Sequence, residues 1–386
     1  MLTDEQKDVW RRLGNEPEFM QLDQTFGQFR LRIHDDVPSF MEVPIAYEAE
    51  GLAGADVAFL GIPFEGWRHF GPTIWYTVDK VGEERPEAVM GVGGDGLAPD
   101  YLRKWSLHYS IHVSGGYFPE VSPDFRLVDH LVMKDYGDVD VVQEDSEATA
   151  RRAMEKLSHV VAAGALPIVL GGDHSIPFPT VKAIDAGGDG KIGLFIFDSH
   201  YDNMYGGEFP APYEIFGRLN GANQFYKILE QCDAEPRNMV IIGVKGGAFN
   251  TPPMREVAEA VGITVFTAGD VERMGIAEVV EQAIEVATDG TDRVYVSLDV
   301  DSIDATTMTA QKYPDPFGIT ARQVRYALQQ VAIRTPVCGF DMNGVSPVGD
   351  AGGRGALTAC RFILEVLKGL AIRKAGISFE IPTPRD

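Results

Sequence analysis

The chain has 386 residues, carries 34 Lys+Arg against 57 Asp+Glu for a formal net charge of -23, and is 45% hydrophobic. That composition supplies a full core and excludes disordered, collagen-like and mini-protein classes, while the negative balance repels nucleic acid and anionic membrane and favours cationic ligands. Three widely spaced cysteines, Cys232, Cys338 and Cys360, form no C-x-x-C pair, which excludes a disulfide framework and a thiolate zinc site.

In chain order, the opening MLTDEQKDVW is charged and lacks an apolar h-region. No run approaches the roughly 18 apolar residues of a membrane span, so a cytoplasmic protein is expected. Residues 1–50 are polar, with turn-forming Asn15-Glu16-Pro17 and Val43-Pro44, and read as an N-terminal extension packing on the body or on a neighbouring subunit. A first buried strand is predicted from Val57 to Ile62. Residues 63 to about 137 hold Trp67, Trp75 and Trp105 among many Gly and Pro, which predicts long ordered loops of the kind that wall a ligand site. Gly91, Gly93 and Gly96 satisfy G-x-G-x-x-G there, but Glu83-Glu84-Arg85-Pro86 precedes them instead of a buried strand, which argues against a dinucleotide site.

Helical spacing through Ala150, Met154, Leu157, Val160 and Val161 closes at Gly164. Further strands are predicted at Leu166 to Leu170, Ile192 to Phe197, Met239 to Val244, Ile263 to Thr267, Val294 to Leu298 and Val337 to Phe340. Val279 to Ala287 is helical, and Thr320 with Gln323 forms a capping box ahead of Val324, Ala327, Leu328 and Val331. Strands apolar on both faces, alternating with helices, imply an α/β fold with a mostly parallel sheet covered on both sides. The sequence contains no P-loop, no H-E-x-x-H and no G-x-S-x-G.

Three acidic or histidine clusters each follow a predicted strand directly: Gly171-Gly172-Asp173-His174-Ser175, Asp198-Ser199-His200-Tyr201-Asp202 and Asp299-Val300-Asp301-Ser302-Ile303-Asp304. Ligand sites of open α/β sheets lie at the carboxyl ends of strands, so all three converge. His174, Asp198, His200, Asp202, Asp299 and Asp301 offer two imidazoles and four carboxylates, a donor set for two divalent ions. Such a pair neutralises the carboxylates and lowers the pKa of a coordinated water from about 15.7 towards 7. Without ions, four carboxylates at strand ends repel one another and are costly to bury.

These clusters resemble the three metal motifs, in order, of the ureohydrolase superfamily of arginases, agmatinases and related guanidino-compound hydrolases. The resemblance implies a three-layer α/β/α sandwich with a mainly parallel eight-stranded sheet, a catalytic domain over residues 51–386, and assembly as a trimer or hexamer. It also implies one ion on His174, Asp198, Asp202 and Asp299, a second on Asp198, His200, Asp299 and Asp301, and Asp304 in support.

The chain departs from the family pattern at substrate-handling positions. Where the family carries D-x-x-E-x-x-P, whose glutamate grips the guanidinium, this sequence has Asp341-Met342-Asn343-Gly344-Val345-Ser346-Pro347. The family's proton-shuttling histidine has no counterpart between Asn203 and Arg218, where Tyr213 and Glu214 lie instead. Ala305 replaces the usual proline, and Gln311-Lys312-Tyr313-Pro314-Asp315-Pro316-Phe317 replaces a Gly-rich substrate loop. With its metal motifs intact and its substrate grip altered, the chain most resembles the nickel-dependent guanidine hydrolases of cyanobacterial type, often labelled agmatinases.

The expected reaction is therefore hydrolysis of free guanidine to urea and ammonium on two divalent ions, Ni2+ first and Mn2+ as the alternative, with possible metal-loading accessory proteins. Asp202, Glu214 and Asp304 are the candidates for proton handling, and Asn343, Tyr313 and Phe317 for lining the pocket. Two other readings stay open: hydrolysis of agmatine or a guanidino acid, and a catalytically silent metal-binding subunit.

Overall fold

A computed structural model describes residues 33–34, 37–66, 74–78, 84–89, 93–208, 217–247 and 249–384. The apolar runs become strands β1 (Val57–Gly61), β3 (Leu166–Leu170), β4 (Ile192–Phe197), β5 (Met239–Val244), β6 (Thr264–Thr267), β7 (Arg293–Asp299) and β8 (Val337–Asn343). An eighth strand, β2 (Met133–Asp138), completes the sheet in the order β6-β5-β4-β7-β8-β3-β1-β2. Every neighbouring pair in it runs parallel.

The β2 segment corrects the expectation of loops throughout 63–137. Its sequence, MKDYGD, lacks the continuous apolar run of a strand buried on both faces, because β2 is the edge strand, paired with β1 on one side and bridged by Ile45 on the other among the described residues. Its Asp135 is buried on the Arg103 guanidinium, at 2.8 Å to Nε, and also accepts the backbone N–H of Phe40. The same region forms helix α1 (Ala98–Ser106) and a hairpin between Ile74–Val78 and Glu84–Val89. Trp67 and Gly91 lie outside the described residues, as does most of the 1–50 extension. Within its described part, Phe40, Met41 and Val43 are buried, and Phe40 packs on Phe59 of β1 at 4.6 Å between ring centroids.

Because side chains alternate across a strand, β4 sends Phe195 and Phe197 to one face and Leu194 and Ile196 to the other. The first face is covered by α1, α6 (Ala268–Met274), α7 (Ile276–Thr288), α8 (Ala321–Arg334) and α9 (Arg354–Ala375). The second is covered by α2 (Ser146–Ala162), α3 (Pro177–Ala186), α4 (Gln224–Gln231) and α5 (Pro252–Val261). The result is a three-layer α/β/α sandwich. The Thr320/Gln323 capping box forms at the start of α8, and Asp145 caps α2 by accepting the N–H of Ala148. Among the described residues, no helix is long and apolar enough to cross a membrane.

The chain builds β1, β2 and β3 at one side of the sheet and β4, β5 and β6 at the other, then fills the middle with β7 and β8. The carboxyl ends of β3, β8, β7 and β4 therefore lie side by side where the direction of winding reverses, the position at which open α/β sheets bind their ligands.

Candidate metal centre

All six residues singled out as metal ligands are brought to that edge. His174 lies in the loop after β3, Asp198, His200 and Asp202 follow β4, Asp299 ends β7, and Asp301 lies in the 3-10 turn Val300–Ser302. His174 Nδ1 is 3.0 Å from Asp198 Oδ2, 2.9 Å from Asp202 Oδ2 and 3.3 Å from Asp299 Oδ2. His200 Nδ1 is 3.4 Å from Asp198 Oδ1 and 3.2 Å from Asp301 Oδ2. Two donor clusters result, His174/Asp198/Asp202 and Asp198/His200/Asp301, with Asp198 common to both.

Local backbone geometry fixes these side chains. The loop carrying His174 passes so close to the end of β1 that a Cβ on Gly172 would fall 2.0 Å from the Phe64 carbonyl oxygen, so only glycine fits. Asp202 adopts φ +43, a conformation that aspartate tolerates better than most residues, and its Oδ2 accepts a 3.0 Å hydrogen bond from Gln224 Nε2. Asp198 Oδ1 accepts the N–H of His200 at 2.7 Å, and Asp299 Oδ1 accepts that of Asp301 at 2.9 Å. Ser199 Oγ donates to Asp301 Oδ1 at 2.8 Å. Behind His174, Nε2 lies 3.2 Å from Ser297 Oγ, which donates to Asp341 Oδ1 at 3.0 Å, and Asp341 also accepts from the Tyr295 hydroxyl. This chain fixes the ring plane and leaves Nδ1 facing the carboxylates.

The electrostatics match a cation site. Burial alone would lower the histidine pKa values, yet Asp198 and its neighbours hold His174, and Asp301 with Asp198 holds His200, well above the usual imidazole range. Burial and then Asp198 push Asp202 up to about 6, and burial with Asp301 raises Asp299 well above the carboxylate range. Among the described residues, His174 Nδ1, Asp198 Oδ2 and Asp301 Oδ2 are buried without a hydrogen bond, so an ion that displaces the imidazole proton would find a donor at each. The donor set of imidazole and carboxylate fits two divalent ions.

The remaining sequence candidates separate. Asn343, the last residue of β8, is buried beside Asp299 in register, and its Nδ2 donates to Asp341 Oδ1 at 2.7 Å. The Tyr313 ring stands 5.9 Å from His200 in an edge arrangement. Asp304 accepts the N–H groups of Thr306 and Phe317 at 2.9 and 2.7 Å, so its carboxylate organises the following loop. Phe317 is 86% exposed and with Asp304 lines a surface cavity whose lining includes none of the six ligands. Glu214 and Tyr213 lie outside the described residues.

Sequence reasoning missed three features. Phe249 packs 5.5 Å from His200 and 5.2 Å from Tyr313, completing an aromatic wall, but no local pattern marks it. Lys312, read only as part of a replaced loop, is buried with Nζ 2.8 Å from Asp95 Oδ2. Asp95 is fully buried inside the glycine-rich stretch around Gly93 and Gly96; burial pushes it up to about 7 against the pull of Lys312.

A family profile described as "Arginase family" matches residues 55–368. A formimidoylglutamase of Halalkalibacterium halodurans is 28% identical over 300 residues, 77% of this chain and 88% of the relative. A mitochondrial guanidino acid hydrolase of Homo sapiens is 27% identical over 335 residues, 86% of this chain and 83% of the relative. Among solved structures, formiminoglutamase of Trypanosoma cruzi with Mn2+ superposes with a TM-score of 0.69 at 20% identity, over 88% of this chain and 100% of that one.

Proposed function

The chain belongs to the arginase family, and from that premise we propose that it is a binuclear-metal hydrolase that cleaves a C–N bond of free guanidine to give urea and ammonium. The observation that carries the substrate assignment is Gly344. It has φ +69, and a Cβ there would fall 2.6 Å from Asp299 Oδ1, so the position can hold neither the family's gripping glutamate nor any other side chain in this conformation. Tyr313 and Phe249 close the His200 side with aromatic surface. A small planar cation suits a pocket with an acidic floor and bulky walls better than a guanidinium carrying a long polar chain does.

In this reading His174, Asp198, Asp202 and Asp299 hold one ion, and Asp198, His200, Asp299 and Asp301 the other. Ni2+ is the proposed metal, and Mn2+, with which the Trypanosoma cruzi formiminoglutamase was solved, is the alternative. Two such ions supply Lewis acidity and an activated water. The protein contributes orientation: the Ser297–Asp341–Tyr295 chain fixes His174, the 3-10 turn after β7 sets the spacing of Asp299 and Asp301, and the aromatic wall limits the size of the bound cation.

The names of the relatives support a second reading, in which the substrate is a substituted guanidine, a guanidino acid or formimidoylglutamate. The two are separated by release of urea and ammonium from guanidine, of urea from agmatine, arginine and guanidino acids, and of formamide and glutamate from formimidoylglutamate, with protein reloaded separately with Ni2+ and Mn2+. Turnover of guanidine, with the longer compounds inert, is the expected result. Turnover of a substituted compound alone overturns the guanidine assignment.

A further inference from the structure

We infer that Asp95 receives an N–H of the cationic substrate in place of the side chain that Gly344 lacks, with Lys312 as its fixed counterion. This inference rests on the proposal that the substrate carries a guanidinium-like cation.

Lys312 connects the two positions. Its backbone N–H donates to the Gly344 carbonyl at 2.9 Å while its ammonium reaches Asp95 at 2.8 Å. Ser346 Oγ donates to the Gly93 carbonyl at 2.7 Å, holding the 93–95 segment against the loop that follows β8. Lys312 and Ser346 thus tie Asp95, from a separate stretch of chain, to the loop that carries Gly344. Its neighbours are also anchored, since Glu65 accepts the N–H of Gly94 at 3.1 Å and Asp173, adjacent to ligand His174, accepts the N–H of Gly66 at 2.7 Å.

The two carboxylate oxygens of Asp95 differ. Oδ2 is taken by Lys312, whereas Oδ1 is fully buried and accepts no hydrogen bond among the described residues. A buried anionic oxygen left unpaired is costly, and a planar cation with several N–H donors is the chemistry that satisfies it. Lys312 lets Asp95 be carried into the core before substrate arrives, so the acceptor is preorganised. The next residue, Tyr313, presents its ring to His200, which places this acceptor and the aromatic wall on one loop.

The test is Asp95→Asn compared with the double variant Asp95→Asn/Lys312→Met, each checked for metal content by elemental analysis. The double variant removes both charges, so it leaves no stranded ammonium to destabilise the fold. The expected result is full metal content in both and a KM for guanidine raised about 10- to 100-fold in both, the span of one hydrogen bond to a charged group. A KM within twofold of wild type in either fully metallated variant overturns the inference. So does recovery of wild-type KM in the double variant, because the single variant's defect then came from the unpaired Lys312. If wild type instead turns over only a substituted guanidine, the guanidine assignment fails, and the same KM comparison on that compound decides the role of Asp95 separately. If wild type turns over none of them, the calorimetric Kd for guanidinium chloride at millimolar concentration is read in the same variants with the same thresholds.

Discussion

Asp299 ends β7, places Oδ2 3.3 Å from His174 Nδ1 and uses Oδ1 to accept the N–H of Asp301. Asp299→Ala is expected to empty the centre of metal and reduce turnover by more than a thousandfold, because in the proposed assignment both ions lose a ligand. Ser297→Ala removes the hydroxyl that links the His174 ring to Asp341 and is expected to cost about 10- to 100-fold in metal affinity or activity. Elemental analysis beside steady-state rates separates the two, and an Asp299→Ala protein that keeps both ions and turnover sinks the ligand assignment. The candidate ligands were legible in sequence because metal coordination demands particular residue types at short spacing directly after strands. Phe249 and Asp95 were not, because packing and ion pairing impose no local pattern, and Asp95 meets Lys312 across 217 positions of chain.

At the level of elements, the runs buried on both faces were readable because their composition is continuously apolar, and the helix at Thr320 because its capping box is a local signal. Strand β2 was not readable: its stability comes from a partner distant in sequence. Arg103 of α1 is 3% exposed and bonds Asp135 through Nε and Nη2 and Asp138 through Nη1, joining the helix to the sheet edge. Arg103→Met leaves Asp135 buried and uncompensated, and is expected to cost about 3–5 kcal/mol by chemical denaturation. The difference depends on pH in a defined direction. Burial raises the Asp135 pKa, but Arg103 outweighs it and the folded value lies below the ordinary 3.8. The pair's contribution is therefore complete above pH 3.8 and is lost as pH falls through the lower folded value. A wild-type advantage that persisted undiminished to strongly acidic pH would contradict this account.

Over the whole molecule, the candidate metal ligands come from three loops spread across 128 positions, from His174 to Asp301, on strands that belong to one sheet. Ions held there bind only the folded chain, because the unfolded chain does not bring the three loops together. At a free concentration a thousandfold above the dissociation constant, each site adds about 4 kcal/mol to the folded state. The unfolding entropy of a 386-residue chain is on the order of 0.8 kcal/mol/K, so loading both sites corresponds to a rise in Tm on the order of 10 °C. Chelation is expected to lower Tm by that amount and reloading to restore it, with the Asp299→Ala variant unresponsive to either treatment. The ion-free protein is expected to keep its fold, because the sheet core is continuous on both faces beneath the site and the imidazoles already lie within ion-pair distance of the carboxylates, at 3.0 and 3.2 Å. Circular dichroism of the chelated protein at 25 °C checks that half of the expectation. A Tm that stays fixed while elemental analysis shows both ions removed would mean that the ions were held elsewhere than at the ends of β3, β4 and β7.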